Sequence, residues 1–151
     1  MKIAGARAIA APRQRVWDAL QDPELLRRTL PGCQSLVADG NGAFTVRVEM
    51  GVGAIKGAYA GEVRLEDLQP PAAYAMRIKA KGTMGFVDGA ARIALAEAGT
   101  GTSLSYDADA TVGGLVAGVG QRMIAGVAKV MLDQFFRALD KELTTPRETP
   151  T

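Results

Sequence analysis

The sequence contains no histidine and only one cysteine, Cys33. The first absence removes the commonest general base and the commonest metal ligand. The second rules out an intramolecular disulfide, and together they exclude a thiol–imidazole pair within the chain. A zinc site would need an unusual ligand set. Aromatic residues make up 5% and the formal net charge is +2, so neither stacking platforms nor a basic patch for nucleic acid is evident. Lys79 and Lys81 alternate with Ala80, and Arg27-Arg28 is an isolated pair. No stretch approaches the roughly 20 apolar residues of a membrane span. The longest candidate, from Val112 to Val119, is short and rich in glycine, and Met1-Lys2-Ile3-Ala4-Gly5 lacks the apolar run of a signal peptide. We therefore expect a soluble, cytoplasmic protein that binds no nucleic acid.

What is present is one ordinary globular domain: 151 residues, 48% apolar and 23% charged, enough to bury a core without staples. Residues 1–10 read as an opening strand, small and apolar, interrupted by Arg7. Pro12 suits a first helical turn, and Val16, Trp17, Ala19 and Leu20 give a short helix over 12–20. Asp22-Pro23 is an N-cap followed by proline at the first helical position, and it starts a second helix that Pro31-Gly32 ends.

From residue 34 the period changes to two. Phe44, Val46, Val48 and Met50 alternate with polar residues after an Asn41-Gly42 turn. Ile55, Gly57, Tyr59, Gly61, Val63 and Leu65 define the next strand, and Pro70-Pro71 turns into Tyr74, Met76, Ile78 and Ala80. Residues 84–96 alternate less cleanly. After Gly99-Thr100-Gly101, Leu104, Tyr106, Ala108, Ala110 and Val112 alternate again. The spacing over 114–143 predicts one continuous helix, and the polar tail 144–151 is expected to be disordered.

The fold expected is α+β of the helix-grip type. One curved antiparallel sheet of six to seven strands and two short helices are covered by a long C-terminal helix over an apolar cavity, in a single domain spanning 1–143. Small residues crowd both facing surfaces: Gly57, Gly61, Ala80, Ala91, Ala108 and Ala110 on strands, and Gly118, Gly120, Ala125, Gly126 and Ala128 on the helix. They either allow close helix–sheet approach or leave room for a ligand. The inward polar groups are Tyr59, Tyr74, Tyr106 and, as a further candidate, Gln134. Such a lining suits an amphipathic, ring-bearing or isoprenoid molecule. The expected ligand-contact residues are Phe44 and Val46, Tyr59, Met76 and Ile78, Phe86 and Tyr106 on strands, with Val119, Met123 and Val127 on the helix.

Other features read as structural. The run Val112-Gly113-Gly114-Leu115-Val116-Ala117-Gly118-Val119-Gly120 fits no phosphate-loop spacing and lies among antiparallel strands. Cys33 lacks a base and reads as a small buried hydrophobe. Asp107 and Asp109 fall on a solvated strand face, Arg122 reaches solvent from its helix, and Trp17 is core.

Several segments resemble the carbon monoxide dehydrogenase G-subunit (CoxG) family, within the START/Bet v 1-like SRPBCC superfamily. They are Val16-Trp17-Asp18-Ala19-Leu20 with Asp22-Pro23, Leu30-Pro31-Gly32-Cys33, Gly53-Ala54-Ile55-Lys56-Gly57 with Gly61, Gly82-Thr83-Met84-Gly85-Phe86, Gly101-Thr102-Ser103-Leu104-Ser105-Tyr106, Val112-Gly113-Gly114-Leu115 with Val119-Gly120, and Phe135-Phe136. They run in the family's order over about residues 2–143. The resemblance implies a non-enzymatic accessory protein for an aerobic molybdenum CO dehydrogenase or a related hydroxylase. It would assist that enzyme's recruitment to the membrane or to its electron acceptor. No covalently bound cofactor is implied; a quinone is the candidate ligand, because such an enzyme must pass electrons to an acceptor that dissolves poorly in water. Contact with the inner face of the membrane would be peripheral only, and direct anchoring by a C-terminal extension, proposed for longer relatives, is not expected. Two rival readings are a helix-grip enzyme of the cyclase or hydrolase type acting on an aromatic substrate, and a lipid-transfer protein without a dehydrogenase partner.

Overall fold

The computed structural model describes residues 1–51 and 56–144. Strand β1 (Lys2–Ile9) is followed by helices α1 (Arg13–Leu20) and α2 (Pro23–Thr29). Then come β2 (Cys33–Ala38), β3 (Ala43–Met50), β4 (Gly57–Gln69), β5 (Ala73–Gly82), β6 (Gly85–Ala98) and β7 (Gly101–Gly113). A short 3-10 helix (Leu115–Val119) precedes the long helix α3 (Gln121–Thr144). The strands form one seven-stranded sheet in the order β1-β7-β6-β5-β4-β3-β2, every neighbour antiparallel.

Local chemistry sets the helix starts. The Asp22 carboxylate accepts hydrogen bonds from the backbone of Glu24 (3.0 Å) and Leu25 (3.4 Å), and Pro23 occupies the first turn. Two orphan amides are thereby satisfied at the mouth of α2. At its other end the Thr29 hydroxyl donates to the Leu25 carbonyl at 2.9 Å, which lets a polar residue sit 4% exposed.

The C-terminal region departs from the continuous helix expected from 114. Gly114 (φ 80°) and Gly120 (φ 97°) adopt left-handed backbone that α-helix excludes. Five residues between them coil as 3-10, and α3 begins only at Gln121. The apolar spacing of Leu115 and Val119 imitates a helical face while the glycines break the ladder. The less regular stretch at 84–96 is a full strand, β6. The expected strand start at Ile55 and most of the expected disordered tail, 145–151, lie outside the described residues.

Close packing is confined to one end of the molecule. Ile9, Val16, Trp17, Leu20 and Leu25 meet Tyr74, Ile93, Leu95 and Leu104 from the sheet and Phe136, Leu139 and Leu143 from α3. Trp17 packs edge-on against Tyr74, ring centroids 5.4 Å apart. Trp17 is thus core, as its sequence position implied. Thr102 is also buried here, its hydroxyl donating to the Ala11 carbonyl at 2.7 Å. All the buried residues of α3 lie in its C-terminal third. That part is also pinned by polar contacts: the Ala10 amide donates to Asp140 (3.0 Å), and Arg28 pairs with Glu142 (3.1 Å).

Replacing Leu139, which is fully buried, with alanine is expected to cost about 2–5 kcal/mol in denaturant unfolding. Val130→Ala, on the exposed face of the same helix, should stay within about 0.5 kcal/mol. Burial pushes the Tyr74 phenol well above its ordinary range. The folded state therefore holds a proton that the unfolded chain releases near about pH 10, and stability falls as pH rises beyond that point. Tyr74→Phe should flatten this alkaline loss in urea midpoints measured across pH 9–11.

Candidate apolar binding site

Strand alternation assigns each strand residue to one of two faces. The concave face, under α3, carries Val46, Val48 and Met50 of β3 against Gly61, Tyr59 and Gly57 of β4. Val63 and Gly61 then pair with Ile78 and Ala80 of β5, which pair with Gly89 and Val87 of β6, and these with Ala110 and Val112 of β7. This mosaic is apolar, and each of its members is only half-buried. The helix residues above it, Ile124, Val127, Ala128 and Met131, are half-buried too. The N-terminal half of α3 therefore stands over side chains that it does not seal, because glycine and alanine occupy the positions where larger residues would meet it.

The expected contact residues divide in two. Val46, Tyr59, Met76, Ile78, Tyr106, Val119 and Val127 are half-buried, and Phe44 is buried at 9% exposure. All the strand members of that group lie on the concave face. Phe86 and Met123 do not join them; they are 45% and 59% exposed. Phe86 falls on the opposite parity of β6, paired with Lys81 and Gly113, and its ring covers the space that a side chain at Gly113 would need. Met123 sits on the solvent side of α3, as do Arg122 and Gln134, so Gln134 is not an inward polar group. Asp107 and Asp109 are exposed on the convex face, as expected.

Two inward groups were not singled out by sequence. Arg7 shares parity with Ile3, Gly5 and Ile9, so it points to the concave face, where it meets Asp133 of α3 at 2.9 Å. Phe136 lies beneath it, with the guanidinium carbon 5.6 Å from the ring centroid. The strict alternation of β1 was the signal; Arg7 is a member of the inner face rather than an interruption of the strand. Tyr106 stacks on the same Phe136 at 5.6 Å and lies over Gly5, where a side chain would collide with its ring.

Burial raises the pKa of the Tyr59 phenol above its ordinary value. It does the same to the Cys33 thiol, against the opposing pull of Arg27 and of the Ser35 backbone, whose carbonyl accepts from Sγ at 3.4 Å. Among the described residues no three acidic or sulfur groups are arranged to hold a metal ion. A shallow open depression of about 320 Å³ lies on the convex side among Glu66, Asp67, Arg77, Arg92, Asp107 and Asp109. Its mixed charges suit water better than an apolar molecule. No described helix is long and apolar enough to cross a membrane.

A family model for the carbon monoxide dehydrogenase G subunit (CoxG) matches residues 5–144. A conserved protein from Geobacillus kaustophilus has a similar crystal structure, with TM-score 0.92 and 33% identity over 95% of each chain. A Chromobacterium violaceum protein gives TM-score 0.77 at 20% identity, covering 96% of this chain and 98% of its own. A START superfamily protein from Mycobacterium smegmatis gives 0.74 at 14%, covering 94% and 96%. The last two likenesses concern the fold, which is START-like. No curated protein matches the chain.

With its pKa raised, Cys33 is held as the neutral thiol at neutral pH. Alkylation by iodoacetamide at pH 7.5, followed by mass spectrometry, should be slower than for a free cysteine peptide, and should accelerate to the peptide's rate in denaturant.

Proposed function

Because the chain belongs to the CoxG family of carbon monoxide dehydrogenase, we propose that it is a non-enzymatic accessory protein that holds a quinone- or lipid-like molecule for an aerobic molybdenum CO dehydrogenase or a related hydroxylase. It assists that enzyme's access to the membrane or to its electron acceptor from the cytoplasmic side. The observation that carries this reading is the half-buried apolar mosaic beneath the N-terminal half of α3. Apolar side chains left partly in water forgo stabilisation of about 25 cal/mol for each Å² that a ligand would cover. A ligand of this kind recovers that energy, less the cost of association.

The physical task is transport or presentation rather than chemistry. Water is displaced from an apolar concavity, the molecule is shielded, and the charged convex face keeps the loaded protein dispersed. A partner enzyme whose electrons must leave through a poorly soluble acceptor gains from such a holder.

Native mass spectrometry of protein purified from its own host should show a retained apolar molecule. Ala110→Phe, which fills the floor of the concavity opposite Gly89, should abolish that retention while the melting midpoint stays within a few degrees. A wild-type chain that retains nothing and binds no added quinone or lipid would refute the carrier role. Co-purification of a molybdenum hydroxylase with a tagged chain tests the accessory role separately.

A further inference from the structure

Arg7 stands out on an otherwise apolar surface. Apart from Glu97, at the far end of β6 and 3.8 Å from Arg13 of α1, it is the only charged side chain at an in-register concave position of the described strands. It occupies the seam where close packing stops. Phe136 beneath it is buried in the core, whereas Val127 and Met131, on the preceding turns of α3, stand half-buried over the concavity.

The Arg7–Asp133 pair is not sealed. Its side chains are 33% and 41% exposed. The second Asp133 oxygen accepts from Arg137 Nε at 3.0 Å, so this carboxylate keeps a cation when Arg7 moves. Beside the pair, the Tyr106 hydroxyl has no hydrogen-bond partner among the described residues, although its ring is fixed against Phe136. A displaceable guanidinium and an uncommitted hydroxyl thus flank one aromatic ring at the edge of an apolar cup.

We infer that the ligand is an amphiphile with an anionic oxygen head, a carboxylate on an apolar tail, and that Arg7 leaves Asp133 to bind that head. The inference rests on the cup proposed above and narrows its ligand to the acidic, lipid-like class. The exchange strands no charge: Arg7 trades one carboxylate for another, and Arg137 retains Asp133. The planar guanidinium can take the new carboxylate through two parallel hydrogen bonds, and the Tyr106 hydroxyl donates a third. A neutral ligand would leave Arg7 on Asp133 and gain nothing from it.

The test compares cis-parinaric acid with its methyl ester by fluorescence titration of the full chain. The ester reports the cup, and the acid-to-ester affinity ratio reports Arg7. The wild type should prefer the acid roughly tenfold, within the range of a charge-assisted hydrogen bond. Arg7→Met should keep the ester affinity and lose the preference. Arg47→Met, which removes the same charge from the exposed face of β3, should keep both. Asp133→Asn, which removes the competing carboxylate, should strengthen acid binding. An equal acid preference in R7M and R47M, or weaker acid binding in D133N, would overturn the inference. Ester binding without acid preference in the wild type overturns it while leaving the cup intact, whereas failure to bind either probe overturns both. Should R7M fold poorly, R7K and D133N decide the matter: lysine keeps the cation without the fork and should give an intermediate ratio, and an unchanged ratio in both refutes the role.

Discussion

One constraint organises this molecule: a single helix must cover a sheet whose inner surface is wider than the helix can fill. Seven strands present apolar side chains on one face, and only α3 is long enough to lie across them. The available side chains are spent at one end, where Phe136, Leu139 and Leu143 interlock with Ile9, Leu95, Leu104 and α1. At the other end, small residues on β4, β5, β6 and β7 leave the helix resting over a surface it does not touch closely. The division between core and concavity is therefore a matter of side-chain volume, laid out along one helix.

The polar contacts follow the same division. Arg28–Glu142, the Ala10 amide to Asp140, and Arg7–Asp133 all tie the C-terminal half of α3 to the rest of the chain. Exposed or half-exposed pairs of this kind stabilise by at most about 1 kcal/mol each. Their main effect is to fix the position of the helix. The turns of α3 from Gln121 to Lys129 have no such tie, and the 3-10 turn before them is set between two left-handed glycines. Local opening is easiest where buried apolar contacts are fewest, and that is the part of the helix over the concavity.

Much of this was legible from the amino-acid order. Alternation alone located β3, β4, β5 and β7, and the Asp22-Pro23 cap placed α2 to the residue. Pro70-Pro71 and Gly99-Thr100-Gly101 marked the turns on either side of β5 and β6. Tyr59, Met76, Ile78 and Tyr106 come to the concave face because a strand has a strict two-residue period. Phe86 and Met123 illustrate the limits. Parity puts Phe86 on the outer face once β6 is known to run unbroken from Gly85, but Ala90-Ala91 and Gly89 blur the pattern there. A helix beginning at 114 would turn Met123 inward; moving the start past Gly120 rotates the register of every residue near it. Arg7 was hidden by its own chemistry, since charge suggested solvent while its place in β1 did not.

The sheet order carries a further implication for assembly. The first strand pairs with the last, Lys2 opposite Asp109 and Ile9 opposite Thr102. Between them lie both short helices and five strands that pair with their sequence neighbours from β2 onward. A chain emerging from the ribosome can zip β2 through β6 as successive hairpins, while β1 has to wait, unpartnered, until β7 arrives. Such a distant closure is entropically slow, so strand β1 and the helix it helps to seat are placed to lock last. The ring of contacts around the concavity is then completed only when synthesis of the domain is all but finished.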